Sequence, residues 1–199
     1  MLKTLAVLAA KGKDRTALNA RWAILAMNWI NRNFQTEGGM VGGWAPLSDN
    51  TLAARRKGSG RILQDTGLLR MSFTPEWTSE FARVGSPLDI ALYHEQGTGI
   101  HGPKHSYYPI YPKKPGGVLR FTMATSTGVK TKEFKSGKKM TFRVAEGAAT
   151  YVKYVEKHPG VAKRRMLPTE NDETLMRDLY RAALDYMKVQ ASEVGNVKE

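Results

Sequence analysis

Histidines are the first candidates for chemistry in this 199-residue sequence, which contains four of them. His101 and His105 are four residues apart, the spacing at which a helix presents two metal ligands on one side. Gly102 and Pro103 lie between them and exclude a regular helix there, and no glutamate follows His101 as in a His-Glu-x-x-His zinc site. His94 has no partner at ligand spacing. The sequence therefore predicts no metal site and no cofactor.

Nucleophiles and clustered acids are also missing from the sequence pattern. There is no cysteine and no Gly-x-Ser-x-Gly segment. Asp65, Asp89 and Glu95 are free to meet in space, but nothing in their spacing predicts it, and Asp65-Thr66-Gly67 is typical of a turn or helix cap. A nuclease or a cell-wall hydrolase needs clustered carboxylates or a metal. We therefore predict that the protein is not an enzyme.

Positive charge is the strongest global signal. The net charge is +13 and the pI about 10.0. Eight basic residues and one acid fall between Lys113 and Lys139, so this stretch alone carries a net +7. Such a balance indicates an acidic partner, either DNA or an acidic protein surface, with simple solubility as the alternative. The candidate docking or DNA-facing residues are Lys130, Lys132, Lys135, Lys138 and Lys139.

These lysines lie in a predicted β-hairpin. Val118–Ala124 and Met140–Ala145 alternate polar and apolar residues, whereas residues 125–139 between them are polar and basic. We interpret residues 112–147 as an inserted hairpin with a long basic tip. The tip either contacts phosphates or an acidic surface, or is a solvated loop, and both alternatives stay open here.

Helices are predicted at both ends of the chain. Residues 1–37 form an N-terminal helical region, with a short helix at about 2–10 and a longer one that Asp14 caps and Gly38 stops. Leu18, Trp22, Leu25 and Trp29 form one apolar stripe, which favours core over a partner-binding face. A C-terminal helix is predicted at 170–192.

Short elements fill the middle of the chain. A helix is predicted at 49–57 with Ser48 or Asp49 as its cap, and another short helix or turn at 63–71. Alternating or apolar runs predict strands at 71–74, 81–84, 90–94 and 151–155. Helices, then strands, then a helix predict a single α+β domain over 1–199, with an antiparallel β-sheet that includes the basic hairpin. No apolar run reaches the length of a membrane span, so we expect a soluble protein made in the cytoplasm.

Two segments resemble a known protein family. They are Trp44-Ala45-Pro46-Leu47-Ser48-Asp49-Asn50-Thr51 after a Gly-rich lead-in, and Ile62-Leu63-Gln64-Asp65-Thr66-Gly67-Leu68-Leu69. Both are similar to segments of the phage virion morphogenesis, or tail-completion, family of Mu-like and P2-like phages. The His158-Pro159-Gly160-Val161 turn and Met166-Leu167-Pro168 resemble related neck and tail-completion proteins, although Arg165-Met166-Leu167-Pro168 departs from the usual Arg-Pro-Phe-Leu.

The resemblance implies a structural virion protein of the phage neck or tail terminus. It implies a homo-oligomeric ring, expected to be a hexamer, that ends tail-tube growth and enables head–tail joining. The expected partners are other copies of the chain, the tail tube, head-connector or neck proteins, and DNA in the channel. Aromatic and apolar loop residues are the candidate inter-subunit contacts: Trp44, Leu47, Tyr107, Tyr108 and Tyr111.

A second hypothesis comes from a different class of protein. The pI and the basic hairpin also fit a sequence-independent DNA-binding protein, which would bind DNA as an isolated chain with a steep salt dependence. The sequence does not choose between tail terminator and neck adaptor.

Overall fold

The computed structural model describes residues 14–55, 60–133 and 139–195, with side chains described outside 129–144 and 193–195. The described chain contains five α-helices, two short 3₁₀ turns and six strands. The helices are α1 (Thr16–Gln35), α2 (Asp49–Ala54), α3 (Leu68–Met71), α4 (Asp89–Gln96) and α5 (Glu173–Gly195). The strands are β1 (Thr74–Trp77), β2 (Ala82–Gly85), β3 (Tyr108–Ile110), β4 (Leu119–Glu133), β5 (Lys139–Val152) and β6 (Val155–His158).

The chain packs as two compact units that interleave along the sequence. Unit 1 contains Met1–Gln35, Met71–Pro87 and Leu167–Glu199, and unit 2 contains Thr36–Arg70 and Leu88–Met166. The single-domain interpretation of 1–199 stays a prediction, since two compact units can still fold cooperatively.

Unit 1 is built on the long helix α1. Ile30 and Phe34 are fully buried in it, and the Phe34 ring lies 5.8 Å from that of Phe73. The Trp22 indole N–H donates to the carbonyl oxygen of Leu179 on α5 at 3.0 Å, and Trp29 is buried. Leu18 and Trp29 of the predicted stripe are therefore core, whereas Trp22 and Leu25 are partly buried.

Both ends of α1 follow the sequence signals. The Asp14 carboxylate accepts a hydrogen bond from the backbone N–H of Thr16 at 3.0 Å, which satisfies a first-turn donor. Past the other end, Gly38 has a φ of 87°, and a Cβ there would overlap the Trp44 ring. Only glycine fits this turn. The helix predicted at 2–10 lies outside the described residues.

The strand predicted at 71–74 is misplaced. Leu68–Met71 is a helical turn that opens after the Asp65-Thr66-Gly67 turn, and β1 begins only at Thr74. β1 and β2 then pair antiparallel from Thr74↔Gly85 to Trp77↔Ala82. The helical turn lies within the short helix or turn predicted at 63–71, so only the start of the strand was wrong.

The strand predicted at 90–94 is wrong, because these residues lie within helix α4 of unit 2. Asp89 occupies its first turn and Gly97, with a φ of 76°, follows its last residue. An acidic first residue and a terminal glycine are helix signals that outweigh the short apolar run.

The predicted basic hairpin is confirmed, but it is longer than its sequence pattern indicated. β4 and β5 pair antiparallel through fourteen residue pairs, from Leu119↔Val152 to Glu133↔Lys139. Much of the segment that we predicted as a loose tip, including Lys130 and Lys132, therefore belongs to the ladder. The strand predicted at 151–155 is wrong as one element, since Val152 ends β5 and Val155 begins β6.

The α+β class is confirmed, with a different arrangement of strands. The described strands form three separate two-stranded antiparallel ladders, β1–β2, β3–β6 and β4–β5, in place of one larger sheet. The C-terminal helix begins at Glu173, three residues later than predicted, and extends to Gly195. No helix in the described ranges is long and apolar enough to cross a membrane.

Candidate functional site

The hairpin β4–β5 is the most distinctive element of unit 2. No further strand of the described chain pairs with either of its edges. Lys130 pairs with Phe142, Lys132 with Met140 and Lys139 with Glu133, whereas Lys135 and Lys138 lie outside the described residues. Lysines on a long unpaired edge also prevent edge-to-edge aggregation, so a docking role and a protective role predict the same residue type here.

A bulge and a helix fix the base of this hairpin. The register shifts between Ala124 and Ser126, which leaves Thr125 unpaired. At this bulge the Asn50 side-chain oxygen accepts a hydrogen bond from the backbone N–H of Ala124 at 2.8 Å. Asn50 belongs to α2, so the amide ties the hairpin to that helix.

The hairpin and α2 also approach each other closely at Gly147. Gly147 pairs with Ala124, and a Cβ at Gly147 would lie 2.6 Å from the Thr122 methyl group and 2.7 Å from the Ala53 Cβ. Helix α2 therefore rests against the hairpin at a point where any side chain would separate them.

The Trp44–Asn50 segment leads directly into this joint. The Trp44 indole N–H donates to the carbonyl oxygen of Arg165 at 2.8 Å. Ser48 is the N-cap of α2, with its hydroxyl accepting from the backbone N–H of Thr51 at 3.2 Å. Trp44, Ser48 and Asn50 of the segment that carries the family resemblance thus each make a hydrogen bond that stabilises unit 2.

Arg164 is a buried cation of unit 2. Its guanidinium donates to the backbone carbonyl oxygens of Ala45 at 3.1 Å, Pro46 at 3.3 Å and Ala162 at 3.4 Å. The side chain is buried, and desolvation followed by repulsion from Arg55 lowers its pKa from the ordinary value. Three carbonyl dipoles stabilise the charge that burial would otherwise disfavour.

His94 lies beside this cation. Desolvation, and then the charge of Arg164, lowers the pKa of His94 to about 4. The Nδ1 of His94 is buried without a hydrogen-bond partner. The backbone carbonyl oxygen of His94 accepts a hydrogen bond from the backbone N–H of Arg164 at 2.6 Å. The ring is therefore neutral at physiological pH and is a half-buried polar residue.

The His158-Pro159-Gly160 turn packs against the loop at Thr98–Ile100 within unit 2. The Ile100 N–H donates to the Pro159 carbonyl oxygen at 2.9 Å, and the Val161 N–H donates to the Thr98 hydroxyl at 2.8 Å. Gly160 has a φ of 93°, and a Cβ there would overlap the Thr98 carbonyl oxygen. The turn glycine is required by this close contact between two loops.

The five predicted inter-subunit residues differ in accessibility. Trp44 is 7% exposed and lies in the core of unit 2, which leaves it little surface for a neighbour. Leu47 is partly buried. Tyr107 and Tyr111 are 56% and 65% exposed, and Tyr108 is 37% exposed. The tyrosines are thus open to a partner.

The described residues contain no group of three or more His, Asp or Glu placed to hold a metal ion. Asn50 and Arg164, the residues that organise the joints, were not singled out from the sequence. Asn50 lies in the Trp44–Thr51 segment, so it could have been identified from the sequence. Arg164 lies in a Lys-Arg-Arg run, which is typical of a solvated face, and nothing in the sequence indicates that it is buried.

Comparison with known proteins decides the family. A model of the phage virion morphogenesis family matches residues 1–185. The chain belongs to the phage virion morphogenesis family. Searches of curated proteins and of solved structures give no significant match. Membership agrees with the resemblance carried by the Trp44–Thr51 and Ile62–Leu69 segments, and the first of these makes contacts to Arg165 and to the hairpin within unit 2.

Proposed function

We propose that this virion morphogenesis protein is a structural component of the phage neck or tail terminus. It forms a ring, expected to be a hexamer, that ends tail-tube growth and makes the tail competent to join a filled head. Tail-tube and head-connector proteins are its partners. The proposal places the protein in the virion after synthesis in the host cytoplasm, with interfaces and no catalysis.

The observation that carries the proposal is the anchored basic hairpin in a member of this family. Fourteen residue pairs give β4–β5 a length that two strands alone stabilise only marginally in water. Asn50, Gly147 and the bulge at Thr125 fix its base against α2. A long hairpin with a rigid root suits an arm that binds a neighbouring protein.

Electron microscopy of a lysate from the parent phage with this gene disrupted tests the proposal. We expect DNA-filled heads beside unattached tails, with tails of irregular length if tube growth is not terminated. Intact particles in normal number would refute the assignment to the head–tail junction.

Sequence-independent DNA binding is the second candidate, favoured by the same lysines. Joint replacement of the five candidates by alanine separates the two functions: Lys130, Lys132, Lys135, Lys138 and Lys139. Failed head–tail joining by a folded variant supports docking. Lost DNA affinity together with normal virions means that these lysines bind DNA in isolation but have no role in joining.

A further inference from the structure

An apolar stripe lies on the exposed side of helix α5 in unit 1. Its members recur at spacings of four, three and four residues, so they share one face of the helix over about three turns. We call them the α5 stripe: Met176, Tyr180, Ala183 and Met187. Met176, Tyr180 and Met187 are 43%, 65% and 56% exposed, whereas Leu175 and Ala182 on another face of α5 are buried. A continuous exposed row of this kind is suited to pack against an amphipathic segment.

The described chain begins beside this stripe. The carbonyl oxygen of Asp14 accepts a hydrogen bond from the Tyr186 hydroxyl at 2.7 Å, and Tyr186 lies one position before the last member of the stripe. Further along α1, the Trp22 indole N–H donates to the Leu179 carbonyl oxygen at 3.0 Å. The earlier residue of α1 thus meets the later part of α5, so the two helices are antiparallel. Residues 1–13 are therefore tethered at the later end of the α5 stripe.

Residues 2–10 have the sequence pattern of an amphipathic helix. Leu2, Leu5 and Ala9 recur at spacings of three and four, and Gly12 marks the end of the predicted helix. A helix of nine residues is marginal in water by itself, so its stability must come from packing its apolar face. The predicted helix thus needs an apolar surface within reach of Asp14.

The short connection and the lengths direct this segment onto the α5 stripe. Only residues 11–13 separate the predicted helix from Asp14, and helices joined by so short a link pack antiparallel. A helix antiparallel to α1 runs parallel to α5. At roughly 1.5 Å per residue, the apolar face from Leu2 to Ala9 spans about 10 Å and the stripe about 16 Å, so the segment fits within the stripe.

The charges of the two segments are also complementary. Residues 1–13 contain three lysines and no acid, a net charge of +3. Residues 170–195 contain six acids and three basic residues, a net charge of −3 in a chain whose total is +13. The basic segment and the region around α5 therefore attract each other.

We propose that residues 2–10 form a helix that docks on the α5 stripe of the same chain, with Leu2 towards Met176 and Ala9 towards Met187. The docked segment covers the exposed methionines and Tyr180 and extends the core of unit 1. It also removes this face of α5 from the surfaces that contact other virion proteins. The proposal concerns unit 1 alone and does not depend on the proposed function.

Disulfide trapping in the full-length chain tests the docking. The sequence has no cysteine, so an introduced pair meets no competing thiol. Leu5→Cys is combined with Tyr180→Cys or with Ala183→Cys, and the dilute protein is oxidised and examined by non-reducing gels and by mass spectrometry of the linked peptides. We expect a disulfide within one chain, formed about tenfold or more faster than in a control pair, because docking raises the effective concentration of the two thiols.

Leu5→Cys/Arg181→Cys is the matched control pair. Arg181 is exposed and follows Tyr180 directly, but neighbouring positions of a helix do not share a face. Its thiol is open to solvent and should nevertheless form the disulfide slowly. Circular dichroism confirms that each variant is folded.

Hydrogen exchange of the cysteine-free chain gives a second measurement. The amides of residues 2–10 should exchange about tenfold or more slowly in wild type than in Tyr180→Asp/Met187→Asp, because two carboxylates under the docked segment would break the contact. Tyr111→Asp, at a tyrosine of unit 2 that is 65% exposed, should leave the exchange of residues 2–10 unchanged.

Three results would overturn the proposal. Equal disulfide rates in the Arg181 pair and in the stripe pairs mean that the segment does not dock on this face. Disulfide-linked dimers identify the segment of a second copy as the occupant. Amides of residues 2–10 that exchange as fast in wild type as in the double aspartate variant refute docking by this segment and leave the α5 stripe open to another protein.

Discussion

At the residue scale, Arg164 stabilises unit 2 through hydrogen bonds from its buried guanidinium. Its guanidinium donates to three backbone carbonyl oxygens, those of Ala45, Pro46 and Ala162, and the side chain is buried. Hydrogen bonds from a charged donor stabilise more than neutral ones, and a buried carbonyl that loses its donor keeps the full cost of desolvation.

Replacement of Arg164 by methionine should therefore destabilise the protein by roughly 2–4 kcal/mol, since the side-chain length is kept and the donors are lost. Urea unfolding followed by circular dichroism measures the change. Lys163→Met, at the exposed neighbouring position, is the control and should change little. Equal effects of the two substitutions would contradict the role assigned to Arg164.

His94 predicts a pH dependence at the same scale. Its pKa is lowered from 6.5 to about 4 in the folded protein, first by burial and then by Arg164. Between these values the unfolded chain binds a proton that the folded chain does not. Above pH 6.5 His94 is neutral in both states and does not reduce the free energy of unfolding. As the pH decreases from 6.5 towards about 4, protonation of His94 in the unfolded chain lowers that free energy.

His94→Leu should flatten the dependence of the unfolding free energy on pH between about 6.5 and 4. Urea unfolding at a series of pH values gives the slope for wild type and variant. His101→Leu, at an exposed histidine, should keep the wild-type slope. An unchanged slope in His94→Leu would show that other groups cause the acid sensitivity.

At the scale of elements, the joint between α2 and the hairpin is the feature to test. Gly147 brings the strand within contact of Ala53, and a methyl group there has no free space. Gly147→Ala should destabilise the protein by about 1–3 kcal/mol through overpacking. It should also speed hydrogen exchange at the hairpin base, where Ala124 donates to Asn50.

Gly85→Ala provides the control for that substitution. Gly85 is a strand residue of β2, and a Cβ there meets no atom within 4 Å. Its replacement should be close to neutral in unfolding and exchange measurements. If Gly147→Ala were equally neutral, the hairpin root would be looser than its contacts indicate.

At the scale of the whole molecule, net charge governs self-association. Copies that each carry +13 repel one another, and the Debye length is about 8 Å at physiological ionic strength. Purified protein should therefore associate more strongly as salt is raised from about 20 mM to about 500 mM. Sedimentation velocity at each concentration measures this.

An acidic partner or DNA should reverse that salt dependence. Binding that releases counterions weakens as salt rises, in contrast to self-association of like-charged subunits. Self-association of the purified protein that weakens with salt would mean that complementary charges already lie within the subunit interface. That result would contradict the repulsion argument.

The family and the fold class were within reach of the sequence. Apolar periodicity predicted α1 and α5, because helices bury one stripe and a 3.6-residue period records it. Alternation predicted the two hairpin strands, and the Trp44–Thr51 and Ile62–Leu69 segments carried the family resemblance that residues 1–185 confirm. These signals are local, so one sequence is enough to detect them.

The helix over Asp89–Gln96 was missed although Asp89 and Gly97 are local helix signals, because the short apolar run at 90–94 is ambiguous by itself. Tertiary structure alone decided the rest. Arg164 became a core residue because carbonyl oxygens of the distant Ala45-Pro46 segment and of neighbouring Ala162 converge on it. The antiparallel pairing of β3 with β6 brings the Tyr108 ring against His158 and the Tyr111 ring against Tyr154, residues more than forty positions away. Composition and spacing record which residues a chain has and how they alternate, whereas such convergences depend on contacts between residues far apart in the sequence.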